Sequence, residues 1–331
     1  MGGSIVNLFV SMCLSIFFSI HANALEIIDG CTSIRQQLSA LPDTGGEVLI
    51  PEGSYTCSSP IILDKRNVWL HGAGKVNLIL ANMANSPVIL MGQVHTPPEN
   101  IKNVKVSDLS IDGNKANQTQ ECWNGECDKG GTTFIRNNGI SVRAITDGEI
   151  KNVSIKDGRS AGVVTERGCF NFHVDNLSVT GSEFDGFAGY QTYGSLFENM
   201  NLFGNRSAGI SIDIDFSTNT IRNTVLEKNG DVGIFMRDSR ANIFDDVIIK
   251  NNGSHGVFLA QAHDGDFKTC ASDNEFKDLS VISSKGAGFQ LNDPCLKNRL
   301  TGHALLQGNR NGCIGEVNKA NVDIEGSLTC I

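Results

Sequence analysis

Basic residues run short in this chain. Its 331 residues carry 27 Lys and Arg against 36 Asp and Glu, a net charge of −9. That balance argues against a nucleic-acid backbone or an anionic membrane surface as partner. Aromatics are sparse too, at 7%, with only three tyrosines, Tyr55, Tyr190 and Tyr193. Beyond the first two dozen residues no apolar run approaches the length of a membrane span. No CxxC pair or His-rich spacing suggests a zinc site. Apolar faces of helix length are also missing, which excludes crossover helices between the short apolar segments.

What the chain has in quantity is glycine, 36 residues, and much of it is in step. Gly139, Gly162, Gly186, Gly209, Gly233, Gly256 and Gly288 are separated by 23, 24, 23, 24, 23 and 32 residues. Each opens a short alternating segment: GISVR, GVVTE, GFAGY, GISID, GIFMR, GVFLA and GFQLN. A second row, Asn152, Asn176, Asn199, Asn223, Asp246 and Asp278, keeps the same rhythm, with its long interval in the same coil. A third, apolar row contains Ile150, Phe197, Ile221, Phe244 and Phe276. A constant period means one unit stacked on itself. The expected architecture is all-β: a parallel β-helix with three short strands per coil. Stacked Asn amides are expected to bond along the helix axis.

Residues 1–24 read as a secretory signal peptide ending Ala22-Asn23-Ala24, with a membrane anchor as the alternative. A single domain, residues 25–331, then follows: a cap over 25–66, coils over 67–311 and a closing segment over 312–331. The cap includes a short helix, IRQQLSAL, with Ile34, Leu38 and Leu41 facing the core. The mature protein is expected to be a monomer with no membrane span, secreted to an extracellular or periplasmic space. Nine cysteines remain after the leader. The pairs Cys31–Cys57, Cys122–Cys127, Cys270–Cys295 and Cys313–Cys330 are expected, although spacing alone leaves connectivity open. Cys169 is left as a packing thiol. Of the sequons at Asn117, Asn152, Asn176, Asn205 and Asn252, those at Asn152 and Asn176 are expected to be buried in the Asn ladder.

Alternation decides which side chains face outward. Two residues after each glycine stand Ser141, Val164, Ala188, Ser211, Phe235, Phe258 and Gln290; four residues after stand Arg143, Glu166, Tyr190, Asp213, Arg237, Ala260 and Asn292. The next position adds Arg167, Gln191, Asp238, Gln261 and Asp293, and Asp215 closes a DID pair. The second row mixes both charges with a tyrosine over about 19 Å, four coil steps. A solvated salt-bridge ladder would look the same. Read as a site, Tyr190, Glu166, Asp213, Arg143 and Arg237 carry catalysis, and Arg167, Gln191, Asp238 and Asn292 bind substrate. Asp213, Asp215 and Asp238 are candidate Ca²⁺ ligands. Among the histidines, His173 reads as a core or ladder residue, while His255 and His263 lie in a turn and a loop.

The stretch GGEVLIPEGSY followed by NVWLHGAGK resembles the opening of pectate-lyase-superfamily β-helix proteins. LSIDGNK and the coils containing GSEFDGFAGYQTYGSLFENMNLFGNRSAGISI are similar to the catalytic module of secreted mannuronan C5-epimerases. The resemblance covers roughly residues 40–260. It implies a right-handed β-helix acting on an acidic polysaccharide by removal of the C5 proton beside a uronate carboxylate. The family's Asp-Pro-His motif and nearby Tyr are absent: Ala161 stands for the Tyr, Val164 for the Asp and Glu166 for the His. Three functions stay open. One is a polyuronate epimerase or lyase, with an Arg neutralising the carboxylate and Tyr190 as acid or base, its pKa lowered by flanking arginines. Another is an inverting glycoside hydrolase, for which Asp213–Asp215 at about 7 Å and Glu166–Asp213 at about 9.6 Å have the right spacing. The third is a non-catalytic glycan-binding surface module.

Overall fold

The computed structural model describes residues 29–122, 126–262, 269–293, 295–316 and 322–331. The expected leader, Trp123, and His263 with its loop lie outside the described residues. The strands form three sheets, of 17, 10 and 6 strands, and their pairings are parallel throughout. Each coil contributes to the sheets in turn, so the chain winds as a β-helix around one continuous apolar core.

The glycine row marks the corner where each coil enters the 10-stranded sheet. A Cβ on Gly162 would sit 2.3 Å from Val179 Cγ1, and one on Gly256 2.2 Å from Val281 Cγ1. The wall of the opposite sheet comes too close there for any side chain. The third row is the core itself: Ile150, Phe197, Ile221, Phe244 and Phe276 are fully buried, and Phe244 stacks on Phe276 at 4.8 Å.

The Asn row is where the 17-stranded sheet bends. Asn152, Asn176, Asn199, Asn223, Asp246 and Asp278 all have φ between 50° and 56°, the left-handed conformation that Asn and Asp tolerate best. They do bond along the axis, as in Asn176 Nδ2 to Asn152 Oδ1 at 2.9 Å, but on the outside. The expectation that Asn152 and Asn176 are buried is therefore corrected: both are exposed. Asn205 and Asn252, in the remaining sequons, are the buried ones, at 1% and 0% exposure. They belong to an internal ladder, Asn205–Asn229–Asn252, and a second runs through Asn219, Asn242, Asn274 and Asn298. Within each ladder the side-chain oxygen of one Asn accepts from both the amide and the backbone N–H of the Asn in the coil before it, so these buried amides are satisfied.

Helix α1 (Thr32–Ala40) caps the open end with Ile34 and Leu38 buried. Stacking starts inside the expected cap, since Gly46–Ile50 already pairs with Val68–Gly72. It also continues through the expected closing segment, where Ser327–Cys330 pairs with His303–Leu306. Disulfides join Cys31–Cys57, Cys122–Cys127, Cys270–Cys295 and Cys313–Cys330, and Cys169 is a buried free thiol pushed up to about 11 by burial. Four disulfides fit an extracellular or secreted protein. Among the described residues no helix is long and apolar enough to cross a membrane.

The outer face of the 17-stranded sheet is a salt-bridge ladder: Lys151–Asp175, Arg222–Glu198 and Lys277–Asp245. His173 belongs to it, bonded to Glu198 at 2.9 Å. Exposed pairs of this kind contribute little each and keep the face soluble.

Candidate functional site

The 10-stranded sheet is different. Its strands Ile140–Arg143, Val163–Glu166, Phe187–Tyr190, Ile210–Asp213, Ile234–Arg237 and Val257–Ala260 stack in the register that the glycines dictate, with Val164 beside Ala188 and Tyr190 beside Asp213. Over the middle coils lies a cleft of about 600 Å³. Its floor is small and apolar: Ala161, Val164 and Ala188 pack together under Tyr190. Glu166, Arg167, Tyr190, Gln191, Asp213 and Arg237 line it, as do Asp185, Arg136 and Asp128.

The segment 126–137 closes one end and takes Arg143 out of reach. Arg143 is fully buried; it donates to Gln93 O, Val94 O, Thr96 Oγ1 and Asp128, and its Nε lies 3.1 Å from Glu166 Oε1. Expected to meet a substrate carboxylate, it instead fastens the loop wall to the sheet. Asp128 also binds Arg167. At the other end Ala262 lines the cleft, its N–H bonded to Thr269 O at the base of the inserted loop.

Tyr190 lies among carboxyl groups, which corrects the expectation of a lowered pKa. Burial raises it well above the ordinary range, and Asp185, Asp213 and Glu166 add to the shift against the opposing Arg136. The phenol stays protonated at any physiological pH and can only donate a proton. Burial also raises Glu166, against Arg143 and Arg167. Asp185, unforeseen from the sequence, is raised to about 6 by burial, against bonds from the Ala208 N–H at 2.9 Å and from Ser207. Its position was legible: of the residues immediately preceding the seven repeat glycines, it is the only acid. Arg136 was not legible, because it belongs to the loop and to no repeat. Its guanidinium is close enough to bias the ionisation of Glu121, Glu166, Asp185 and Tyr190.

The remaining expected residues divide. Asp213 is paired with Arg237, whose Nε donates to Oδ2 at 2.9 Å. Gln191 lines the cleft in a left-handed turn, φ 43°. Asn292 is exposed and outside the cleft lining. Ile214, φ 48°, and Asp215, φ 59°, form a double left-handed turn at the cleft edge, an unusual conformation for a β-branched residue.

The three aspartates expected to hold Ca²⁺ have other partners. Asp213 binds Arg237; Asp215 accepts from Ser217 at 2.8 Å and Tyr193 at 3.1 Å; Asp238 accepts from Thr269. Burial and then Asp213 and Asp215 raise Asp238 to about 6, so a proton relieves the repulsion there. Among the described residues no group of three or more His, Cys, Asp or Glu side chains could hold a metal ion. These donors do not fit Ca²⁺.

A search of curated protein sequences finds no match. The family model for the right handed beta helix region matches residues 167–328. Solved structures that share the architecture include the A-module of Azotobacter vinelandii mannuronan C-5 epimerase AlgE4, at 17% identity and TM-score 0.63, covering 91% of this chain and 94% of that one. Endo-xylogalacturonan hydrolase from Aspergillus tubingensis aligns at 13% identity and TM-score 0.54, covering 90% and 91%. PfbA, a surface adhesin of Streptococcus pneumoniae, aligns at 14% and 0.52, covering 92% and 89%. At these identities the likeness speaks for the fold. With the family match and the coil register it makes this chain a right-handed parallel β-helix protein.

Proposed function

We propose that the protein acts on an acidic, uronate-containing polysaccharide by C5 proton abstraction, as an epimerase or a lyase. The observation that carries this reading is the juxtaposition in one cleft of a carboxyl group titrating near 6, Asp185, and a phenol held protonated, Tyr190, beside Arg136. A base is most useful with its pKa near the working pH. Asp185 takes the C5 proton, and Arg136 stabilises the charge that develops on the uronate carboxylate. Tyr190 returns a proton to the opposite face in epimerisation, or to the leaving glycosidic oxygen in elimination. The guanidiniums of Arg136, Arg167 and Arg237 in the cleft lining are the groups that would meet an anionic chain. The polysaccharide-acting neighbours named above agree with this substrate class.

Glu166 and Asp185, both shifted upward, also support a second reading, an inverting hydrolase with one acid and one base. Proton NMR with mannuronan and polygalacturonate in D₂O separates the two. An epimerase is expected to place deuterium at C5, and a lyase to leave C4=C5 unsaturated ends that carry no hydrogen at C5. Reducing ends with neither deuterium nor unsaturated ends would replace this reading by hydrolysis. Tyr190→Phe is expected to cut C5 exchange about 10²-fold or more while binding persists.

A further inference from the structure

The outward row that floors the cleft changes character toward the cleft's C-terminal end, where Phe235 still lines it and Phe258 lies one coil beyond. Its residues are small upstream, Ser141, Val164, Ala188 and Ser211, and then become Phe235 and Phe258 in successive coils. Both rings are partly exposed on the outer face, with centroids 5.8 Å apart and planes within 8°. The Arg237 guanidinium lies 5.5 Å from the Phe235 centroid, tying the ring to the ion pair with Asp213. The next residue in the row, Gln290, ends it: its side chain lies over Gly315, where a Cβ would meet Oε1 at 2.1 Å. The two parallel rings make a short apolar strip on the outer face, next to a row that is otherwise small.

Polar groups meet these rings at one edge. His255, half-buried, lies 5.5 Å from Phe258. Its Nδ1 accepts the Ala287 N–H at 2.9 Å, so the ring proton belongs on Nε2. Burial lowers its pKa, against Asp231, in keeping with the neutral ring that an accepting Nδ1 requires. An apolar surface with a neutral donor beside it suits a sugar ring, which has C–H faces and hydroxyl edges.

Building on the acidic-glycan reading, we propose that Phe235 and Phe258, with His255 at their edge, form an apolar subsite that binds a pyranoside ring of the same polysaccharide chain beyond the reacting uronate. Phe258 is three coil steps, about 14 Å, from the Tyr190 coil, so only a ligand several sugars long spans both. The site selects for length and fixes direction: the chain runs along the helix axis, its reacting sugar over Asp185 and its far sugars toward the C-terminal coils.

The test is calorimetric titration of the wild-type protein, Phe258→Ala and Phe258→Tyr with short and long oligosaccharides of mannuronan, polygalacturonate and a neutral glucan, with thermal melts of each variant. The expected result is a loss of about tenfold in affinity for long ligands in Phe258→Ala, no loss for short ones, and retention in Phe258→Tyr. Unchanged affinity for long ligands, with or without a lowered melting point, overturns the subsite and leaves the acidic-glycan reading standing. Equal losses for short and long ligands overturn it as well. Absence of binding to any glycan by the wild-type protein overturns both; binding of the neutral glucan alone, with the length-dependent loss, upholds the subsite and overturns the acidic-glycan reading.

Discussion

Asn229→Ala is the sharpest test of what holds the coils together. The Asn229 side chain accepts from Asn205 N at 3.1 Å and from Asn205 Nδ2 at 3.0 Å, and donates to Leu202 O and Asn252 Oδ1, both at 3.1 Å. Asn205 and Asn229 are each 1% exposed. Alanine removes all four bonds and strands two donors of Asn205 away from water. At about 1–3 kcal/mol for each unsatisfied buried group, the loss is about 4 kcal/mol. The control is Asn223→Gly in the outer ladder. Asn223 is exposed, its bond to Asn199 is long at 3.4 Å, and glycine accepts its φ of 50° without strain. That change is expected to stay within about 0.5 kcal/mol. Solenoids can unfold coil by coil, so a single urea midpoint is not sufficient. Hydrogen exchange of the Asn205 amide should be measured beside it, with an expected acceleration of about 10³-fold in Asn229→Ala. A loss under about 1 kcal/mol, or equal losses in the two variants, would refute the argument that buried amide bonds, and not backbone conformation, secure the stack.

Other outcomes follow from the same structure. Asp185 has a folded pKa raised from 3.8 to about 6, so its contribution to stability is complete below about 4 and is lost as pH rises through about 6. Denaturation midpoints across that window should flatten in Asp185→Asn by up to about 3 kcal/mol, and C5 exchange should fall below pH 6 as the base protonates. Arg143→Ala leaves the Asp128 and Glu166 carboxylates without their buried partner and is expected to cost about 3–5 kcal/mol by urea denaturation. Replacing Cys270 and Cys295 together by serine reopens a separation of 25 residues and should lower stability by about 3 kcal/mol under non-reducing conditions.

How much of the site was legible depends on whether a residue repeats. Glu166, Tyr190, Asp213 and Arg237 were found because alternation after a periodic glycine places them on one face, and they do line one cleft. Arg143 has the same signal and a different fate, since a loop from outside the repeat folds over it. The two Asn ladders show the same boundary. Spacing locates both the exposed amides of Asn152 and Asn176 and the buried amides of Asn205 and Asn252, but burial depends on which side of the coil corner the side chain leaves.

Period and alternation are local properties of the chain, and they were enough to determine the coiled all-β architecture, the core rows and the face that carries the cleft. Stacking is a nearest-neighbour affair, so a repeat written in the sequence is a repeat in space. The pairing of Arg143, the arrival of Arg136 and the elevation of Asp185 and Tyr190 were decided by tertiary structure. Ionisation responds to every charge and every desolvating atom within several ångströms, and those atoms come from the loop and from neighbouring coils remote in sequence.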